Sequence, residues 1–300
     1  MDAYDRSEQL MMEIENRYVT VYNAALVKAI RNVRGFLQKV RDVESGKIQP
    51  PQYYVDRDEV GKWREGYLRE LARKMRVVEN IAAELDAAGG KSAEIIKGGL
   101  DEVYQINRAE TVGEINIALD RSGATLRPSF AMMDKRSIRI AIDDAQPVFS
   151  KIAYQNLGNN LAARRKMQNS LAEALALGEG QDKILRRIRR IAEMEVYQAR
   201  RIAQTECTRV RSQARYEAGQ EAARQGVGVY YEWSTRMRNS RESHVRLDGQ
   251  KRMQGEPFET ISGAQLLYPG DPSAPAREVI NCFCVLIPDV LLPGEKLDRR

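Results

Sequence analysis

Along the first third of the chain, apolar residues recur every three or four positions. Met11, Ile14, Tyr18, Val21 and Ala25 form one stripe; Leu26, Ile30, Val33, Leu37 and Val40 continue it on a slightly shifted face. That period is helical. No Pro or Gly interrupts it before Gly35, so residues 6–44 are predicted as one helix about 55–60 Å long, ended by Gly46 and Pro50-Pro51. A second stripe, Val60, Trp63, Tyr67, Leu71, Met75, Val78, Ala82 and Leu85, predicts another long helix closed by Gly89-Gly90. Two such helices joined by a Pro-containing loop make an antiparallel hairpin or part of a bundle.

Residues 92–122 carry a weaker helical pattern, interrupted by Gly98-Gly99 and Gly113. Residues 129–175 are helical again, with Ile138, Ile142, Ala145, Phe149, Ile152 and Leu157 as core candidates, and Gly178 and Gly180 punctuate the chain after them. The cleanest stripe comes next: Leu185, Ile188, Ala192, Val196, Ala199, Ala203, Cys207, Val210 and Ala214. Cys207 lies on that stripe and reads as a small buried side chain. Arg186, Arg187, Arg189, Arg190, Arg200, Arg201, Arg209, Arg211 and Arg215 occupy much of the rest of the helix surface.

After Gly226 the character changes. Gly228-Val-Tyr-Tyr-Glu-Trp-Ser234 has the β-branched and aromatic content of a strand, and Phe258 and the run Val279–Ile287 supply further short strands between turn-rich stretches. The pattern predicts an α+β fold: a mainly α-helical body with long N-terminal helices and a small, loop-rich C-terminal α/β module. Its expected parts are a helical body over 1–178, an Arg-rich helical segment over 179–225, and a compact module with a polar tail over 226–300.

Composition narrows the class. With 43% hydrophobic and 30% charged residues the chain reads as globular, and its apolar runs are far short of the roughly 20 residues that span a bilayer. The acidic N-terminus lacks the basic start and apolar run of a signal peptide, so folding in a cytoplasm without a membrane is expected. Net charge is +6 but uneven: residues 182–252 hold 17 Lys and Arg against 9 Asp and Glu, an excess of +8 that leaves −2 elsewhere. Two readings stay open, a polyanion partner or a solvated arginine-rich face. For the first, the candidate nucleic-acid contacts are Arg186, Arg187, Arg189, Arg190, Arg200, Arg201, Arg236, Arg238, Lys251 and Arg252.

Three cysteines do not make a disulfide scaffold, and Cys282 and Cys284 are too close for comfortable disulfide geometry. With His244, the only histidine, they supply three ligands of a tetrahedral zinc site, with Asp248 or water as the fourth. The alternative is that both thiols share one strand face and pack in the core. A catalytic alternative uses His244 as a general base, with Arg241 and Arg246 holding phosphate, in a phosphodiester-cleaving enzyme. No second His, paired acidic metal site or P-loop accompanies it, so the expectation is a protein that is not an enzyme.

Six pieces follow one another in order: Ala199-Arg-Arg-Ile-Ala-Gln-Thr-Glu206, Trp233-Ser, Arg241-Glu-Ser-His244-Val-Arg-Leu-Asp248-Gly249-Gln250, Phe258, Tyr268-Pro-Gly-Asp-Pro272 and Ile280-Asn-Cys282-Phe-Cys284. Together they resemble the phage minor head proteins of the SPP1 gp7 and Mu F-like type. The resemblance covers residues from about 182 to 288. Two departures stand out: the stretch Thr235–Asn239 lacks the Asp usual in the family, and Phe283 replaces the usual Arg between the cysteines. The resemblance implies a minor head protein of a tailed bacteriophage, made in the host cytoplasm and placed in the virion at the head interior or portal vertex. It further implies a role in head morphogenesis, the portal and/or major capsid protein as partners, and non-specific contact with double-stranded DNA that aids its packaging or delivery.

Overall fold

The computed structural model describes residues 3–123, 138–144, 148–235, 240–292 and 294–299. Nine α-helices and five strands are assigned among these residues, with one π-helical turn at Ile140–Asp144. The order is α1 (Ala3–Asn32), α2 (Arg34–Glu44), α3 (Arg57–Lys74), α4 (Val77–Ser122), the π turn, α5 (Val148–Gly158), α6 (Leu161–Ala176) and α7 (Gln181–Arg224). Then come β1 (Gly228–Ser234), α8 (Glu242–Val245), β2 (Lys251–Met253), β3 (Phe258–Glu259), β4 (Gln265–Leu266), α9 (Ala276–Val279) and β5 (Val285–Leu291). The mainly helical α+β architecture is the one expected. No helix among the described residues is long and apolar enough to cross a membrane.

The boundaries differ from expectation in instructive ways. The first predicted helix is interrupted only at Val33, across which the Leu37 amide still reaches the Val33 carbonyl at 3.0 Å. The second breaks where no Gly or Pro marks it. Arg76 takes a left-handed φ of 49°, and the Asn80 side-chain amide covers the Met75 carbonyl at 3.0 Å. Beyond that break α4 runs through Gly89-Gly90 and Gly98-Gly99 without stopping. Two of these glycines serve packing: a Cβ on Gly89 would overlap the Leu157 carbonyl, and one on Gly99 would overlap the Ile14 side chain. Of the core candidates in 129–175, Ile142 and Leu157 are buried and Ile152 is exposed. Ala145 and the Phe149 side chain lie outside the described residues.

The chain divides into two compact units. One comprises Asn16–Glu94 and Tyr154–Ala199. There α3 packs on α2 and α6, and Val33, Phe36, Ile81, Met167, Leu171 and Ile188 face one another around a small cavity. Asp56 caps α3 by accepting the Asp58 amide at 2.6 Å, and Asn160 caps α6 by accepting the Ala163 amide at 3.0 Å.

The other unit comprises Met1–Glu15, Ile95–Ala153 and Arg200–Arg300. Its sheet is antiparallel, in the order β2-β1-β5, with Tyr231 opposite Pro288 on one side and Arg252 on the other. Along β1 alternate residues Val229, Tyr231 and Trp233 are buried, as the period of a half-covered strand requires. They share a core with Phe258, Leu266, Tyr268, Val279, Cys282 and Cys284. A second core joins Leu100, Val103 and Tyr104 to Cys207, Val210 and Ala214. Burial pushes the Cys207 thiol up to about 11, as its apolar position suggested.

The adjacent glycines of α4 give a paired test. Gly89→Ala should cost about 1–3 kcal/mol through its clash with α5. Gly90→Ala, which meets open space inside a helix, should stabilise by about 0.5–1 kcal/mol. Urea denaturation of the two variants reads the difference; equal effects would contradict the close helix approach.

Candidate metal centre

The C-terminal module is positioned by polar side chains of α7. Gln204 and Thr208 donate to the Cys282 carbonyl at 3.1 and 2.6 Å, and Thr205 accepts the Asn281 amide at 2.9 Å. Arg211 donates to the Cys284 carbonyl at 3.4 Å and Arg215 to the Leu286 carbonyl at 3.0 Å. These arginines were expected on the helix surface, but Arg209, Arg211 and Arg215 are all buried. Each is buried with partners, which is what makes the burial tolerable. Arg209 pairs with buried Glu206 at 2.8 Å and donates to the Ala141 carbonyl and the Gln213 side chain. Arg215 also reaches Asn107 at 3.0 Å and Glu110 at 2.9 Å.

The turn Pro269-Gly270-Asp271-Pro272 closes on the same helix. Gly270 has φ 83°, and a Cβ there would stand 2.7 Å from the Arg209 Cα. Asp271 holds the turn by accepting the Leu267 amide at 2.8 Å and the Ser273 amide at 2.9 Å.

Against this frame sit His244, Cys282 and Cys284, all buried, with one ligand atom each lying within 4.8 Å of the others. The cysteines are not on the strand that the core-face alternative assumed, although both are buried in the core it expected. α9 ends at Val279, Asn281 takes φ 56°, and β5 begins only at Val285. The intervening turn aims both sulfurs at one histidine nitrogen. His244 Nδ1 stands 3.5 Å from Cys282 Sγ and 3.4 Å from Cys284 Sγ, and the Cys284 amide donates to Cys282 Sγ at 3.4 Å. Hydrogen bonding by Cys284, above all, favours the Cys282 thiolate despite its burial, with His244 adding to the effect. The same pairing, with burial, drives the Cys284 thiol upward.

Sequence reasoning missed Glu278. Its carboxylate is buried 3.2 Å from His244 Nε2 and accepts from Ser243 at 3.0 Å and Ser262 at 2.9 Å. Burial raises its pKa, but the two serine hydroxyls, His244 and Arg241 outweigh that and hold it below the ordinary value. Nothing in its local sequence marks it, since its partners come from separate segments. Trp233 closes another side, edge-on to His244 at 5.2 Å between ring centres.

These residues fit a metal ion. Zn–S bonds of about 2.3 Å and a Zn–N bond of about 2.05 Å at tetrahedral angles put N and S about 3.5 Å apart; the two N···S distances match that edge. The carboxylate behind the opposite ring nitrogen completes the usual orientation of a metal-bound histidine. Asp248 is not in the converging group: its carboxylate accepts the Thr235 amide at 2.7 Å and hydroxyl at 2.8 Å.

In the catalytic alternative the histidine and the two arginines do not meet around an open space. His244 is buried, Arg241 donates to the carbonyls of Arg277 and Ile280, and exposed Arg246 lies 3.5 Å from Glu242. Among the candidate nucleic-acid contacts, Arg186, Arg189, Arg190, Arg200 and Arg201 are exposed, with Arg200 paired to Glu15. Arg187 is tied to Glu173 and Glu179. Lys251 lies 3.7 Å from Glu232, and Arg252 bonds its own loop through Gln250. Arg236 and Arg238 lie outside the described residues.

Comparison with known proteins identifies the same segment. Residues 165–287 match the family described as Phage Mu protein F like protein. A stretch of 119 residues is 30% identical to "Minor head protein GP7" of Bacillus phage SPP1, covering 39% of this chain and 38% of that protein's length. The chain thus matches under two fifths of the curated relative. No solved structure matches.

The buried arginines should behave unlike the exposed ones. Arg209→Ala removes the counter-charge beside buried Glu206 and should cost about 3–5 kcal/mol, whereas exposed Arg189→Ala should change stability by no more than about 0.5 kcal/mol. Guanidinium denaturation of both distinguishes a structural face from a solvated one.

Proposed function

We propose, from the match of residues 165–287 to the Phage Mu protein F like family, that the protein is a minor head protein of a tailed bacteriophage. It is a structural component of the virion, sits at the head interior or portal vertex, and acts in head morphogenesis by docking on the portal or major capsid protein. Its basic surface touches packaged double-stranded DNA without reading sequence. The observation that carries this reading is the ordered match through α6, α7 and the C-terminal module. Many residues of that match are structural: Thr205 and Thr208 bond the module's backbone, Gly270 lets the turn approach Arg209, Glu206 pairs with Arg209, and Asp271 holds its own turn. A signature consumed by packing supports an architectural protein over a catalyst.

The His244–Cys282–Cys284 cluster is proposed to bind one Zn2+, with His244 Nδ1 and the two sulfurs as protein ligands and Glu278 orienting the ring. The ion would cross-link α8 to the turn before β5. Such a staple supplies folding energy to a module whose strands are short.

The location is tested by purifying proheads and virions from infected cells. The protein should co-sediment with both and be retained by immobilised portal; its absence from both particles would overturn the assignment. For the metal, elemental analysis of protein purified without chelator should give about one zinc per chain. Cys282→Ser should lose it, and a chelator should lower the melting temperature of the wild type alone. Metal-free wild type whose melting ignores added zinc and chelator would refute the site.

A further inference from the structure

Within the unit formed by Asn16–Glu94 and Tyr154–Ala199, an open groove of about 820 Å³ runs between α6 and the first turns of α7. Lys166 lines it from α6, and Lys183, Arg186 and Arg190 line it from α7. The three on α7 are spaced three and four residues apart and so share one side of the helix. All four side chains belong to exposed residues, and none forms an ion pair among the described residues. The groove also contains two acids, Glu173 and Glu179, but both are held by Arg187. Its guanidinium donates to Glu173 at 2.9 Å and to Glu179 at 2.7 and 2.9 Å. Arg187 holds both carboxylates by hydrogen bonds, and with five basic and two acidic side chains the groove keeps an excess of three positive charges.

We infer that this groove is where the protein grips the phosphate backbone of double-stranded DNA. The inference rests on the reading of the protein as a DNA-contacting head component, and it assigns that contact to one place. α7 splits its arginines between two uses. Arg209, Arg211 and Arg215 are consumed inside the other unit, and Arg200 is paired with Glu15. Lys166 and Lys183 join Arg186 and Arg190 across the helix pair. No lining residue is aromatic, whereas protein-binding hot spots are rich in Trp and Tyr. Long cationic side chains in a row suit a backbone carrying a charge about every 3.4 Å of axis on each strand, and the arginine fork suits phosphate oxygens. Neither feature reads base edges, so binding is indifferent to sequence.

The test is binding of full-length protein to a short fluorescent duplex of random sequence across a series of salt concentrations. Wild type should bind at low salt and weaken steeply as salt rises. Neutralising the groove by Lys166→Gln, Lys183→Gln, Arg186→Gln and Arg190→Gln together should weaken low-salt binding at least about tenfold and lower the salt slope by about 3–4. The double variant Lys183→Gln with Arg186→Gln, less demanding on folding, should lower it by about 2. Arg200→Gln with Arg201→Gln, outside the groove, should leave affinity and slope close to wild type. If that control loses binding while folded groove variants keep it, the groove assignment falls and the DNA reading stands. If wild type ignores DNA at low salt, both fall, and an acidic protein partner takes the groove instead.

Discussion

The C-terminal module depends on one physical match: the polar stripe of α7 against the backbone of residues 281–286. Residues 204, 208, 211 and 215 advance by four, three and four, which keeps them on one helix face. Their partners are the carbonyls of Cys282, Cys284 and Leu286, which lead from the turn into β5. The short Thr208 hydroxyl serves the first carbonyl, and the long arginines reach out to the later two. A helix with an apolar face could cover this segment, but it would leave those carbonyls without donors. Charge-assisted donors also raise the cost of a register slip, because any shift strands a buried guanidinium.

That match explains why His244, Cys282 and Cys284 converge. Cys282 is held by its carbonyl from two α7 side chains, and Asn281 by its amide from a third. With the backbone fixed on both sides of the turn, the sulfurs converge on His244 without a strand to direct them. His244 is fixed in turn by Glu278 and by the edge contact with Trp233. Ligand convergence is thus a consequence of helix–backbone bonding.

The sequence was legible where a periodic pattern met a local consequence. The apolar stripe of α7 and the strand at Gly228–Ser234 both survive in the structure. The features that could not be read required knowing a neighbour. Gly89 and Gly99 look like helix breakers until Leu157 and Ile14 are seen against them. Arg76 stops a helix with no breaker residue at all, because only the local turn demands its φ. Glu278 resembles any surface acid until two serines and a histidine from elsewhere close around it. Arginine was the most misleading residue type: on one helix, the same side chain is solvent-facing at Arg189 and buried at Arg209.

That division of arginines carries a wider consequence. A charge count over 182–252 treats every Lys and Arg as available, yet three arginines are internal donors, and Arg187, Arg200, Arg224, Arg246 and Lys251 already hold acids. The excess positive charge therefore overstates the surface field, and it also misplaces it. The unpaired cations gather near the start of α7 and on α6, including Lys166, which lies outside the counted window. Arg187 shows how such a surface is built: one guanidinium clamps two carboxylates that would repel a polyanion, and the cations beside them leave the groove with a positive excess. The same residue type thus fixes the module through burial and shapes an anion-facing groove through pairing. Its role at each position is set by which acceptors lie within reach.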